Sequence, residues 1–273
     1  MRRFLIIGHK AAVSPEFSLN DLPGAAGRID VLCRSVGAAF FLSHGIRRDV
    51  EVTLLLQDKI RVRLLGERLK HLNPDERSTA ALIKHALEKL GEDEVESTPG
   101  IYISPGDLSA TLDRVYQLGG HPVVLHENGN SFHAPSIPAD PTFVLSDHMD
   151  FSDDEERLLA DLPHISLGER AMHASQCITI VNYLLDRQED QTKADLVTCY
   201  RVWGEPKAML VKGLLEDFGI PVNLVSHVPP SVLPLTVDGL AEMRIMVREG
   251  DEARAKEIIA EYFYEPDKDD REE

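Results

Sequence analysis

The sequence predicts an α/β protein, with a mainly parallel sheet covered by helices on both faces and a small α+β module after it. Three observations carry this. Short unbroken apolar runs, such as Phe4-Leu5-Ile6-Ile7 and Phe143-Val144-Leu145, alternate with stretches whose apolar residues recur at helical spacing. Hydrophobic residues make up 43% of 273, enough to build a core in one large domain or two smaller ones. Past a stretch without large apolar residues, Asp186 to Lys193, the pattern restarts in a shorter β-α-β…β-α order.

In chain order, Arg3 to Gly8 is a first strand, continuous enough to be buried on both faces. Lys10 to Pro23 reads as a loop. Gly24 to Leu42 reads as a helix with Ile29, Leu32, Cys33, Val36, Ala39 and Phe40 on one stripe. Arg28, Asp30 and Arg34 lie off that stripe, and the step from 28 to 30 is too short for a shared helical face. Any pairing of Arg28 with Asp30 is therefore expected from tertiary contacts. Val50 to Leu56 and Ile60 to Leu65 are strands. Lys59, Arg61 and Arg63 alternate with apolar residues on the second, giving a basic face read as solvated, with RNA contact as the alternative. Asn73 is expected to cap a helix running to Leu90, with Pro74 at its first position. Gly91 to Glu96 reads as an acidic loop, Ile101 to Ile103 as a strand and Pro105 to Leu118 as a helix. His121 to His126 is a strand, followed by a sharp turn at Glu127-Asn128-Gly129. Phe143 to Leu145 and Ile165 to Leu167 are short strands, and Ala171 to Arg187 is a long helix carrying Cys177, Ile178, Val181, Leu184 and Leu185 inward.

Asp186 to Lys193 is expected to be a linker. Leu196 to Tyr200, Val222 to Val225 and Met243 to Val247 then read as strands, and Glu205 to Phe218 and Glu252 to Tyr262 as helices. A Pro-rich loop spans Pro229 to Pro234, and residues 265–273 read as a disordered acidic tail. The expected domains are 1–190 and 195–264.

Composition excludes several classes. No apolar run approaches the ~18 residues of a membrane span. The Met1-Arg2-Arg3 start precedes too short an apolar run for a signal peptide. A cytoplasmic location and no membrane partner are expected. Cys33, Cys177 and Cys199 stand far apart with no CxxC, which argues against a disulfide framework and a metal site. The net charge is −17, but residues 1–90 carry 15 Lys+Arg against 10 Asp+Glu. A basic first third on an acidic chain suits one face that meets phosphates.

For chemistry, the sequence offers two strand-end loops close together, after Leu145 and after Ile165-Ser166-Leu167. Open α/β sheets bind ligands outside the carboxyl ends of their strands, so these loops form a candidate small-molecule pocket. Gly24-Ala25-Ala26-Gly27 is read as a tight turn rather than a phosphate cradle. The chain has no GxGxxG after the first strand, no GxxxxGK[ST], no HExxH and no GxSxG.

The residues themselves resemble a known family. Asp21-Leu22-Pro23-Gly24 with Gly27 to Arg34, Phe41 to Asp49, Asn73 to Arg77, Ser97 to Tyr102, Leu145 to His148, Ile165-Ser166-Leu167 and Cys177-Ile178-Thr179 are similar to motifs of the archaeal tRNA (pseudouridine-54-N1)-methyltransferases of the SPOUT superfamily. They occur in the right order across residues 1–187. The resemblance implies a C-terminal trefoil knot, a homodimer, tRNA as substrate and S-adenosyl-L-methionine as methyl donor. It implies a cofactor site at Leu125, Ser146, Ile165, Ser166, Leu167, Gly168 and Cys177. It further implies Asp30 as base and Arg28 as the positive group in catalysis, with Arg34, Arg47, Arg48 and Arg77 on the RNA. Ser146 departs from the family's usual glycine, and Gly168 to Met172 departs from its Ser-Pro-Leu-Glu-Leu type. The module from Leu196 to Tyr262 resembles the small signal-transducing domains of prokaryotes, through Glu205 to Ala208, Leu214-Leu215-Glu216, Gly219 to Val222 and Ala253 to Ile259, and a ferredoxin-like fold is expected for it. Two other readings stand beside this one: a methyltransferase for another pseudouridine, for instance in ribosomal RNA, and a non-catalytic RNA-binding or regulatory dimer.

Overall fold

Strand β1 (Arg2–Gly8) runs through the middle of an eight-stranded sheet in the computed structural model, which describes residues 1–132, 137–226 and 242–262. The chain divides into two units, Met1–Asp186 and Arg187–Glu273. The first continues with α1 (Ile29–Phe40), a ribbon of β2 (Phe41–Leu42) and β3 (Gly45–Ile46), then β4 (Val50–Leu56), β5 (Ile60–Leu65), α2 (Glu76–Leu87), β6 (Val95–Thr98) and β7 (Ile101–Pro105). There follow α3 (Leu108–Gln117), β8 (His121–Ser131), β9 (Pro141–Ser146), α4 (Asp153–Leu159), β10 (His164–Ser166) and α5 (Ala174–Ala194).

The sheet order is β10-β8-β9-β1-β4-β5-β7-β6. From β10 to β4 all pairings are parallel, and from β4 to β6 all are antiparallel. The fold is thus mixed α/β. Its antiparallel half begins at one turn, between β4 and β5: Gln57 and Asp58 both take positive φ, and the Lys59 N–H donates to the Leu56 carbonyl at 3.0 Å. Such a primed turn sends the chain straight back beside itself. Alternation of side chains on β1 places Phe4 and Ile6 on one face, with Leu32, Val36, Ile83 and Val181 of the helices there. Leu5 and Ile7 face the other side, where Leu108, Leu112 and Leu159 of α3 and α4 cover them.

Several boundaries differ from the sequence expectations. The first helix begins at Ile29 rather than Gly24. Asp21 accepts the N–H groups of Gly24 and Ala25 at 3.0 Å each, and Gly27 and Arg28 are left-handed, so residues 24–28 form turns. It is Asp75, not Asn73, that caps α2, accepting the Ser78 N–H at 2.7 Å. Part of the expected acidic loop Gly91 to Glu96 joins the sheet edge as β6. Asp107, rather than Pro105, opens α3. Helix α4, entered through a Ser152–Glu155 capping box, was not anticipated. Asp186 to Lys193, expected as a linker, continues α5 to Ala194. That segment has no Gly or Pro, and Gln, Glu, Lys and Arg are good helix formers, so polarity alone does not break the helix.

Strand β8 also continues past the expected turn to Ser131. Its ladder with β10 nevertheless jumps, from Val124 opposite His164 to Asn130 opposite Ile165, so residues 125–129 bow outward. Gly129 sits against β10: a Cβ there would lie 2.6 Å from the Ile165 nitrogen.

The second unit has a three-stranded antiparallel sheet ordered β11 (Leu196–Trp203), β13 (Glu242–Arg248) and β12 (Asn223–Ser226). Helices α6 (Glu205–Asp217) and α7 (Glu252–Tyr262) bring Ala208, Val211, Leu215, Ala255 and Ile259 into a core with Val202, Ile245 and Val247. Gly219, at φ 77°, stops α6. The Pro229–Pro234 loop and the 265–273 tail lie outside the described residues.

Replacing Gly129 by alanine forces the 125–129 bow off β10. We expect Gly129→Ala to lower the free energy of unfolding by about 2 kcal/mol, measured by urea denaturation; an unchanged midpoint contradicts the close packing.

Candidate functional site

The carboxyl ends of β8, β9 and β10 point the same way and leave a cavity of about 480 Å³ outside them. This volume falls in the usual range for small-molecule sites. Leu125, Leu145, Ile165 and Leu167 make an apolar wall, Cys177 closes it from the first turn of α5, and Asp147, Asp150, Glu127 and Glu156 make it acidic. Of the residues expected to hold a cofactor, Leu125, Ser146, Ile165, Leu167, Gly168 and Cys177 line this one cavity. Ser166 is not on its wall. Its hydroxyl accepts the Gly168 N–H and donates to the Gly168 carbonyl, both at 3.1 Å, so it shapes the loop. Ser146 donates through its hydroxyl to the Met149 carbonyl, bracing the next loop. Burial pushes the Cys177 thiol up, which keeps it protonated. Among the described residues no His, Cys, Asp and Glu group has the makings of a metal site.

Beside the cavity stands a cluster that sequence reading missed. His9, just past β1, bonds through Nδ1 to Asp147 at 2.9 Å and through Nε2 to Glu155 of α4 at 2.9 Å. Its backbone N–H also donates to Asp147 at 3.0 Å. The Asp147 hydrogen bond, with lesser help from Glu155 and against burial, raises the His9 pKa from 6.5 to about 9. Burial raises the Asp147 pKa, but the His9 hydrogen bond, the Met149 N–H and the nearby His9 charge outweigh it, and the net direction is down. A lone His after an apolar strand carries no spacing signal. Only the fold brings it to residues 147 and 155.

Arg28 is left-handed at φ 65°, immediately before α1, and it reaches forward to Asp30. Its Nε and Nη2 donate to the two carboxylate oxygens at 3.0 and 3.2 Å. The pairing expected from tertiary contacts is therefore local, because Arg28 lies outside the helix. Arg34 adds a third contact with Asp30 at 3.0 Å. Burial raises the pKa of Asp30, but the Arg28 hydrogen bond and the two arginine charges more than reverse this and hold it below the usual carboxylate value. Arg28 also feels the charge of Asp147 on the cavity wall.

The other arginines are engaged. Arg47 forms a bidentate pair with Asp186, at 2.9 and 2.6 Å, and Arg48 donates to the carbonyls of Gly66 and Leu69 at 2.9 and 2.7 Å. Arg34 also meets Glu76 at 3.3 Å, and Arg77 bonds Asn20. Arg61 and Arg63 of β5 do not form a solvated face. Arg63 is 12% exposed, paired with Glu94 and Glu51 and stacked 4.3 Å over the Tyr102 ring.

The family described as "Putative SAM-dependent RNA methyltransferase" matches residues 1–190, and "Putative prokaryotic signal transducing protein" matches residues 196–262. The chain is 52% identical over 192 residues to a tRNA (pseudouridine(54)-N(1))-methyltransferase of Haloarcula marismortui, covering 68% of this chain and 96% of that one. A protein of the same name from Methanocella arvoryzae is 43% identical over 196 residues, covering 69% of this chain and all of the relative. Among solved structures, Archaeoglobus fulgidus Nep1 bound to S-adenosylhomocysteine superposes with a TM-score of 0.54 at 15% identity, covering 69% of this chain and 99% of that one. That likeness concerns the fold.

The His9 bridge makes stability depend on pH. A folded-state pKa raised above the unfolded value stabilises fully below pH 6.5, and the contribution is lost as pH climbs through about 9. After allowance for solvent screening, we expect a loss of roughly 2 kcal/mol across that window. His9→Gln flattens the dependence, and NMR titration of the imidazole gives a midpoint near 9 in the wild type; a midpoint near 6.5 contradicts the bridge.

Proposed function

Because the chain belongs to the S-adenosylmethionine-dependent RNA methyltransferase family across residues 1–190, we propose that it methylates N1 of pseudouridine 54 in tRNA. The observation that carries this reading is the single cavity at three parallel strand ends, with the Arg28–Asp30 pair close enough to feel its acidic wall. The methyl donor belongs in that cavity, and the residues fit it. The apolar wall takes the adenine, the loop backbones around Leu125, Ser146 and Leu167 read its edge, and Asp147, Asp150, Glu127 and Glu156 favour a cation. S-adenosylmethionine, when bound, supplies an electrophilic methyl group on a sulfonium.

The remaining chemistry falls to the chain's own side chains. N1 of pseudouridine carries a proton and is a poor nucleophile while it does. Asp30 is ionised and accepts that proton as the N1–H bond breaks. Two guanidiniums weaken it as a base, so Arg28 turns from Asp30 towards the pyrimidine as the ring enters. This strengthens the base and sets a positive charge beside the charge developing on the ring. Arg34 stays on Asp30 and keeps it in place. Arg77 and the outer edge of Arg34 meet RNA phosphates, while Arg47 and Arg48, committed to Asp186 and to carbonyls, shape that surface and contact RNA only by exchanging partners.

The bow of residues 125–129 around Ile165, together with β10 lying outside β8, supports a trefoil knot threaded through this region. Exposed Leu42 and Tyr183, near the contact where Asn182 of α5 bonds the Ala38 and Ala39 carbonyls, support a homodimer built on α1 and α5. Residues 1–190 are then the catalytic domain and 195–264 an accessory domain. The β-α-β-β-α order of the accessory domain, with its third strand central, supports a ferredoxin-like fold. The enzyme works in the cytoplasm with its tRNA. No described helix is long and apolar enough to cross a membrane.

Mass spectrometry of nucleosides and of ribonuclease fragments from tRNA that carries pseudouridine 54 without its methyl group, incubated with the full chain and labelled S-adenosylmethionine, tests the function. Methyl label on pseudouridine 54 is expected, and label elsewhere or none overturns it. Asp30→Asn should slow turnover by about 10²-fold and remove the acidic limb of the rate profile, with methyl-donor affinity by calorimetry nearly unchanged. Normal turnover would remove Asp30 from the mechanism.

A further inference from the structure

A second cleft lies between the sheet and α3, where Arg3 of β1, Arg61 and Arg63 of β5 and Arg114 of α3 come together on a wall shared with Glu51 and Glu94, while Asp107 acts on Arg61 and Asp140 on Arg3 from outside it. It is separate from the methyl-donor cavity. Arg3 stands four positions before Ile7, which is paired with the cavity residue Ser146 on the neighbouring strand. The two glutamates are already used. Glu94 accepts from Arg63 at 2.9 and 3.3 Å and from Arg114 at 3.5 Å, and Glu51 lies 3.6 Å from Arg63. Four arginine donors are left over. The Nε atoms of Arg3, Arg61 and Arg114 and the Nη1 of Arg3 are buried with no hydrogen-bond partner.

Glycine makes room for two of these groups. A Cβ at Gly106 would sit 2.7 Å from the Arg61 Nε, and one at Gly120 would sit 3.2 Å from the Arg3 Nη1. The burial that lowers the Arg61 pKa is reinforced by the charge of Arg114 beside it, and while the Arg61 terminal nitrogens donate to the Ala110 and Pro105 carbonyls, its Nε has no acceptor. A water molecule accepts two hydrogen bonds and brings no charge. An anion accepts from every side and offsets the excess of arginine over glutamate on the wall itself. The open volume, about 20 Å³, has room for one small group.

We propose that this cleft is a binding site for a single halide-sized inorganic anion, chloride in solution, held by Arg3, Arg61 and Arg114. The anion fastens α3 to the sheet by giving the three guanidiniums a shared acceptor. It binds the folded chain alone, so it stabilises by mass action. It takes no part in methyl transfer.

The test is made on the full-length protein. Crystals soaked in sodium bromide should show an anomalous peak among Arg3, Arg61 and Arg114. The unfolding midpoint should rise by about 3–5 °C per tenfold of chloride above saturation, over gluconate at equal ionic strength. Arg114→Gln should abolish the chloride-specific rise, as should Arg3→Gln, while both keep wild-type affinity for S-adenosylmethionine. A water in place of bromide, an equal rise in gluconate, or a site that takes sulfate instead would each overturn the assignment. If a variant fails to fold, the bromide peak and the wild-type anion series decide alone. Loss of the methyltransferase reading leaves this result untouched, since neither readout involves turnover.

Discussion

Three parallel strands can share a ligand only if their carboxyl ends are held at one edge, and here a protonated imidazole between two carboxylates does much of that holding. His9 follows the central strand, Asp147 follows β9, and Glu155 lies in the first turn of α4. Each of these groups is costly to bury alone. Together they satisfy one another, and the loops that line the cavity inherit their positions from the arrangement. Asp147 is the hinge of this order, since it accepts from His9 and from the Met149 backbone, with the His148 Nδ1 3.3 Å away, while also standing on the cavity wall. The electrostatics of the ligand site and the closure of the fold at that edge are the same interaction seen from two sides.

The bow of residues 125–129 works with it. Gly129 approaches the β10 backbone more closely than a side chain would permit, and Leu125 is thereby turned onto the cavity. The Ser166–Gly168 exchange does the same for the last loop. None of these contacts touches chemistry directly. They fix backbone groups, which suits a ligand recognised mainly by main-chain donors and acceptors and explains why no compact side-chain motif announces the site.

Much of the architecture was legible in the sequence, for physical reasons. Buried strands such as Phe4 to Ile7 and Val50 to Leu56 are unbroken apolar runs, and α1 shows its stripe from Ile29 to Phe40. Local polarity misled where propensity or geometry prevailed. Asp186 to Lys193 looks like a tether because it lacks apolar residues, yet nothing in it opposes a helix, and Asp186 is fixed by Arg2 and Arg47. The alternating arginines of β5 look solvated because charge usually is, yet α3 covers them and glutamates pair with Arg63. His9 gave no signal at all, since its partners lie far along the chain. Arg28 and Asp30 were expected to pair only at a distance, on the assumption of a helix that starts before both of them. The resemblance to a family singled out both residues; their direct bond came from a backbone conformation that no pattern of apolar residues encodes.

That conformation has a consequence of its own. Glycine is the residue a left-handed position favours, and glycine does occupy position 27 just before it. At 28 the chain instead carries a long cation in a posture its backbone resists. Relaxing the posture would carry the guanidinium away from Asp30, and installing glycine would delete it. The chain is thus cocked at this point like a bent spring, with a charged tip free to move only along the path its own unbending opens.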